Sequence, residues 1–218
     1  MIIAPPFFNA KARRLTVQWH HGPRAAGVPA ASDRRGAGWV VVRLRSFFAL
    51  PGVVIHELGH YLLCRFVGAR VQEVVFFEPS GPSGYVVHAI PRHLRQHLII
   101  VAGPLLLNSV LSFLLFRAVA ATGGLAAAEL ARGLPLRAAQ SVLAAVLGAS
   151  IALQAIPSHA DASSLWNVAL DRLEAGNLLA LFALPVAFLL LAINHLRRFW
   201  IDWLYLIALA SLAAWFPV

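Results

Sequence analysis

The motif His56-Glu-Leu-Gly-His60 places two imidazoles and a carboxylate within little more than one turn of a predicted helix. Histidines four residues apart lie about 40° apart around a helix, so both rings can reach one tetrahedral zinc ion. Glu57 lies beside them, where it can accept a proton from a water molecule at the metal. The alternative is that the histidines only pack against a neighbouring helix. We favour the metal site, because ionisable side chains inside an apolar helix need a partner or a ligand.

A catalytic zinc site needs a third protein ligand, and the sequence offers several candidates. Cys64 continues the four-residue spacing, but it lies about 12 Å along the helix axis from His56, so we predict that it packs rather than binds. Asp161, which follows the helix-breaking Pro157, is the preferred ligand, with an N-cap of the next helix as its alternative role. His159 is the alternative third ligand. Three further histidines on or after a predicted hairpin are expected at the membrane interface instead: His88, His93 and His97.

The composition is that of a membrane protein. Of the 218 residues, 60% are hydrophobic and 12% are charged, whereas a soluble domain is nearer half apolar and a quarter charged. A single cysteine excludes an internal disulfide. The net charge is +9, but eight of the 18 Lys and Arg residues lie in the first 46 positions and most others flank apolar runs. This pattern is typical of membrane flanks, so we expect lipid contacts and no nucleic-acid partner.

Five apolar stretches predict the helices of a multi-pass integral membrane protein. If the source is prokaryotic, we expect the protein in the cell membrane. These stretches are 47–67, 98–121, 138–156, 177–194 and 199–216. Pro51 is expected in the first turn of the first helix. The fold class that follows is an all-α polytopic membrane protein, with about five transmembrane helices and a small β-hairpin inserted after the first.

Shorter elements and a tail complete the prediction. β-branched and aromatic runs at 71–77 and 85–90 flank a turn and predict the hairpin, which must lie at the interface or against protein because lipid cannot satisfy its edges. Apolar spacing over 163–175 predicts a short interfacial helix. Residues 1–38 are basic and aperiodic, so we predict a disordered tail. Arg198 and Asp202 have the spacing of an ion pair within one helix.

Several motifs together resemble the site-2 protease family of intramembrane zinc metallopeptidases. The resemblance covers about residues 47–165, and the histidine motif in an apolar helix is its most specific part. It is carried further by Gly68-Ala-Arg-Val71 with the hairpin, Gly103-Pro-Leu-Leu-Leu-Asn108, and Pro157 with Asp161. The family commonly has asparagine and glycine at the positions of Gln154 and Ala162.

The resemblance implies a core of three transmembrane helices, one Zn²⁺ ion and a general base. By matching positions, the metal ligands are His56, His60 and Asp161, and the base is Glu57. Residues 39–218 then form a membrane-embedded metalloprotease domain, with the core at about 47–165 and extra helices at 177–216. Asn108 could hydrogen-bond the substrate or the developing oxyanion, or serve as a helix-helix contact.

The expected function is a zinc-dependent endopeptidase that hydrolyses membrane-embedded or membrane-adjacent segments of a membrane-protein or peptide substrate. A catalytically silent membrane scaffold or chaperone is one alternative, but it would not need a carboxylate beside two histidines. A metal transporter is another, but it would need ionisable residues spread along a pathway. Both orientations of the chain across the membrane stay open, because the positive-inside rule and the resemblance favour opposite orientations.

Overall fold

The computed structural model describes residues 37–78, 84–132 and 136–216. The predicted tail at 1–38 lies outside these residues, except for its last two positions. Six α-helices and a two-stranded sheet form along the described chain. In order they are α1 (Ala37–Phe66), β1 (Val71–Val75), β2 (Tyr85–His88), α2 (Leu94–Ala131), α3 (Leu136–Leu153), α4 (His159–Glu174), α5 (Ala180–Leu196) and α6 (Ile201–Trp215), with a 3₁₀ turn (Arg197–Phe199) before α6.

Four of the described helical segments are long and apolar enough to cross a membrane. They are Phe47–Phe66, Leu94–Thr122, Leu136–Leu153 and Ala180–Phe199. Many large apolar side chains on these segments are exposed, as lipid-facing surfaces require. The last predicted membrane helix forms as α6, but its 15 residues are fewer than the approximately 20 that usually span the hydrocarbon core. The described chain therefore has the architecture of a helical membrane protein.

The prediction for Pro51 was wrong. Helix α1 begins at Ala37, so Pro51 lies inside the helix rather than in its first turn. A neighbouring helix accommodates the irregularity, because the backbone N–H of Gly52 donates a 2.9 Å hydrogen bond to Oγ of Ser150 in α3. Such bonds are one way in which membrane helices tolerate proline.

Helices α1 and α3 approach each other closely at Gly52. A Cβ atom added at this position would lie 2.1 Å from the Ser150 carbonyl oxygen, which is backbone and cannot rotate away. Gly59, two turns further along α1, has room for a Cβ, since its nearest neighbour would be 3.5 Å away. The helix that carries the histidines therefore packs on α3 only if residue 52 has no side chain.

We expect Gly52→Ala to lower the free energy of unfolding by about 1–3 kcal/mol, the range for overpacked interiors. Gly59→Ala is the matched control and should keep or slightly raise stability, because alanine is the better helix former. Thermal unfolding of both variants in detergent measures the difference. Equal stabilities of the Gly52→Ala and Gly59→Ala variants would contradict the close contact between α1 and α3.

The predicted hairpin is confirmed, with shorter strands. β1 and β2 are antiparallel, with Val75 opposite Tyr85 and Val71 opposite His88, and an irregularity follows Val71. The sheet lies against α1, where the ring of Phe76 meets that of Tyr61 edge-on at 6.4 Å. This contact agrees with the expectation that the hairpin needs protein or interface beside it.

Helix α4 forms over His159–Glu174, four residues earlier than the predicted start, and is held by burial of one face. Its small residues Ala162 and Ala169 are fully buried and belong to one apolar cluster with Ala180, Ala183 and Ala187 of α5. Alanine lets the two helices approach closely. The packing of α4 on α5 sets the position of the loop before α4.

The predicted pairing of Arg198 with Asp202 was wrong. Asp202 pairs instead with Arg197, whose Nε lies 3.0 Å from both carboxylate oxygens. Arg198 stacks over the ring of Phe199. The reason is that the 3₁₀ turn and the left-handed backbone of Trp200 interrupt the helix, so side chains four residues apart no longer share a face.

Candidate metal centre

The two motif histidines face each other across one turn of α1. Their Nε2 atoms are 3.2 Å apart, and both side chains are buried, with 7% exposure for His56 and 5% for His60. The rings meet edge-on at a centroid separation of 4.8 Å. Two buried ring nitrogens that lie this close together can share a proton or a cation.

Asp161 completes the group from the first turn of α4. Its Oδ2 lies 3.6 Å from Nε2 of His60, and the ligand atoms of the three residues all lie within 4.8 Å of one another. In a tetrahedral site with bonds of about 2.0–2.2 Å, ligand atoms are roughly 3.3–3.5 Å apart. The three side chains can therefore hold one metal ion. They are also the ligand set that the sequence analysis preferred.

Asp161 is held by the cap of its own helix. Ser158 is the N-cap residue: its Oγ accepts a hydrogen bond from the backbone N–H of Asp161, at 3.1 Å. In return, Oδ2 of Asp161 accepts bonds from the Ser158 N–H at 2.9 Å and from the Ser158 hydroxyl at 2.6 Å. The alternative role of Asp161 as the N-cap is therefore wrong, because the helix begins two residues before it. Its carboxylate is instead oriented by the reciprocal bonds of a capping box.

The same contacts keep this carboxylate ionised. Burial tends to raise the pKa of Asp161, but the neighbouring His60 ring and the hydrogen bonds from Ser158 lower it below its usual value. An ionised carboxylate is the form that binds a cation.

Glu57 lies beside the histidines and under the hairpin. Its side chain is 9% exposed, and its Cγ would lie 2.7 Å from a Cβ added at Gly84. The same Cβ would meet the carbonyl oxygens of Val75 and Phe76 at 2.5 Å. Glycine at position 84 therefore lets the hairpin backbone pack closely against the side chain of Glu57.

The remaining candidate ligands lie outside this group. His159 is exposed, and its Nδ1 lies 3.2 Å from Oγ of Ser163. His93 is exposed just before α2, and Cys64 is fully buried, as expected for a packing residue. Among the described residues, the structure brings together one group of three with metal-ligand spacing.

Two of the histidines expected at the membrane interface contact each other or a neighbouring helix. His97 of α2 is buried, and its Nε2 lies 3.0 Å from Oγ of Ser164, one turn after Asp161 in α4. His88 packs near His97, with ring centroids 5.9 Å apart, and burial lowers its pKa. The bond between His97 and Ser164 ties α2 to the helix that carries Asp161.

Asn108 of α2 is fully buried at the end of α3. Its Nδ2 donates a 3.3 Å hydrogen bond to the Gln154 carbonyl, and its Oδ1 has no hydrogen-bond partner among the described residues. The amide therefore makes the helix-helix contact that the sequence left open. Its free oxygen is an acceptor, which suits a substrate N–H and not an oxyanion.

Two supporting residues were missed by the sequence analysis. Ser158 had a detectable signal, because Ser158-x-x-Asp161 has the spacing of a capping box. Gly84 had none, since its role depends on a contact with Glu57 on another element.

Comparison of this chain with family models, curated proteins and solved structures gives no match.

Proposed function

We propose that this protein is a zinc-dependent intramembrane endopeptidase and that its resemblance to the site-2 protease family extends to its activity. In this proposal α6 is the fifth membrane helix. The observation that carries the proposal is the group formed by the buried His56 and His60 with the partly buried Asp161, and Glu57 next to it. A membrane helix has little use for such a cluster of ionisable groups unless they serve a function.

The donor set supports zinc as the ion. Two imidazole nitrogens and one carboxylate oxygen form a ligand set of catalytic zinc sites, in which three protein ligands leave the fourth position open. Closed structural sites instead take four protein ligands, and the described residues provide three. The remaining position would be available to water or substrate.

Bound zinc would supply a Lewis acid that polarises the scissile carbonyl and makes water a better nucleophile. Glu57 accepts the proton of the attacking water and returns it to the departing amine, because its carboxylate lies beside the ligands without belonging to them.

A cavity of about 630 Å³ between α1, α3 and α6 supports access of a peptide segment. It is lined mainly by apolar side chains, with Ser150, Gln154, Arg197 and Asp202 as polar exceptions. Gln154 lies at the end of α3, and its backbone carbonyl accepts the hydrogen bond from Asn108. A helical substrate must unwind before attack, since its carbonyls are engaged in its own hydrogen bonds. The free edge of β1 or β2 could bind the unwound strand by strand addition.

The proposal is tested by metal content and cleavage measured on the same sample. We expect about one zinc per chain after purification in detergent. In proteoliposomes containing a mixed set of single-span helical peptides, new peptide termini should appear in mass spectra, disappear after chelation and return with zinc. Absence of bound metal would refute the proposal. Zinc flux without cleavage would favour a transporter, and metal binding without either activity a scaffold.

A further inference from the structure

Asn194 places an amide in the last turn of α5, within a segment that can cross the membrane. Its Nδ2 donates hydrogen bonds of 2.9 Å to two carbonyl oxygens, that of Leu190 one turn earlier and that of Pro157 in the loop before α4. The bond to Leu190 is local to the helix. The bond to Pro157 joins α5 to a distant part of the chain.

Pro157 immediately precedes the cap of the ligand-bearing helix. It is fully buried and is followed by Ser158, which donates two hydrogen bonds to the carboxylate of Asp161 and accepts a third from its backbone N–H. The carbonyl of Pro157 belongs to the same peptide unit as the Ser158 N–H. Asn194 holds the oxygen of this peptide unit, and Asp161 accepts from its N–H. The Asn194 amide and the metal-binding carboxylate therefore bond to opposite ends of one planar peptide unit, and the orientation of that plane links their positions.

The amide of Asn194 is itself oriented by a charge pair. Nη1 of Arg197 lies 3.4 Å from Oδ1 of Asn194, and Nε of Arg197 bonds both carboxylate oxygens of Asp202 at 3.0 Å. A guanidinium can only donate, so it selects the oxygen of the amide and turns the NH₂ group towards Pro157. A chain of hydrogen bonds therefore runs from α6 to the first turn of α4.

We propose that Asn194 is a positioning residue for Asp161 at the metal centre. The inference rests on the proposed function for the identity of the site, but the contact itself does not depend on which ion binds. In this proposal α5 and the turn before α6 help to position a metal ligand, although they lie outside the predicted core at 47–165. Partners that orient metal ligands through a second layer of contacts typically change affinity 10–100-fold when removed.

The experiment compares Asn194→Ala with Asn167→Ala in the full-length protein in detergent. Asn167 is the matched control because it lies on the exposed face of α4. Affinity for Co²⁺ is measured by competition with a chelator, and the visible absorption of bound Co²⁺ reports the ligand geometry. We expect Asn194→Ala to weaken Co²⁺ binding about tenfold and to change the spectrum, with no change for Asn167→Ala.

Amide hydrogen exchange over residues 156–162 provides a readout that needs no metal. Asn194→Ala should accelerate exchange in this segment, while segments of α1 remain as protected as in the wild type. If Asn194→Ala fails to fold, Asn194→Leu removes the same hydrogen bonds with an apolar side chain of similar size.

The outcomes separate the two proposals. Wild-type exchange rates and wild-type Co²⁺ affinity in the folded variant would overturn the role of Asn194, even if the protein is a peptidase. A wild-type protein that binds no Co²⁺ would overturn the proposed function, and the exchange rates alone would then decide whether Asn194 orders the loop.

Discussion

Glu57→Gln is expected to abolish peptide cleavage while leaving the metal bound. Glutamine has the same size as glutamate, but its neutral amide cannot take a proton from water. Loss of a general base typically lowers the rate about 10²–10⁴-fold. Metal affinity should remain within about twofold, because Glu57 is not one of the three candidate ligands. New peptide termini and metal content are measured on the same preparation.

Glu174→Gln is the control for this result, because Glu174 is exposed at the end of α4. It should retain both cleavage and metal. Undiminished cleavage by a Glu57→Gln protein that still binds metal would remove the proposed mechanism. Loss of the metal as well would show that Glu57 acts on the ion itself and not only on water.

Asp161→Asn is expected to lose the metal. An amide is a far weaker metal ligand than a carboxylate, so affinity should fall by about 100-fold or more. Asparagine keeps an oxygen that can accept from Ser158, so the cap of α4 and the fold should survive. Equilibrium dialysis with zinc measures the affinity, and thermal unfolding without metal checks the fold.

His159→Ala is the matched variant for the alternative ligand. It lies two residues from Asp161 but is exposed, so its replacement should leave zinc affinity unchanged. If His159→Ala lost the metal and Asp161→Asn kept it, the assignment of the third ligand would be reversed. Similar losses in both variants would indicate a site that rearranges when it binds the ion.

The Glu57 and Asp161 variants test a site that local geometry predicts only in part. His56 and His60 lie on one helical turn, and helix geometry alone brings their rings together. The apolar stretches predicted the helices for the same reason, since a length of about 20 apolar residues is dictated by the bilayer. The hairpin was equally local, because strand-forming residues flank a turn.

Helix limits were predicted less well, because they depend on neighbours. Proline normally interrupts a helix, but Pro51 lies inside α1, beside a close contact with Ser150 of α3. α4 begins at His159 because Ser158 and Asp161 cap each other. Arg197 replaced Arg198 as the partner of Asp202 because the helix is interrupted before α6.

Spacing along a single element was enough to predict that this chain forms apolar helices and that two histidines and a glutamate share one of them. Tertiary structure alone decided that Asp161 and not His159 faces those histidines, that Gly84 brings the hairpin over Glu57, and that Asn194 reaches Pro157. These choices depend on the direction in which side chains leave separate elements. That direction is set by the packing of helix against helix, which no local pattern encodes.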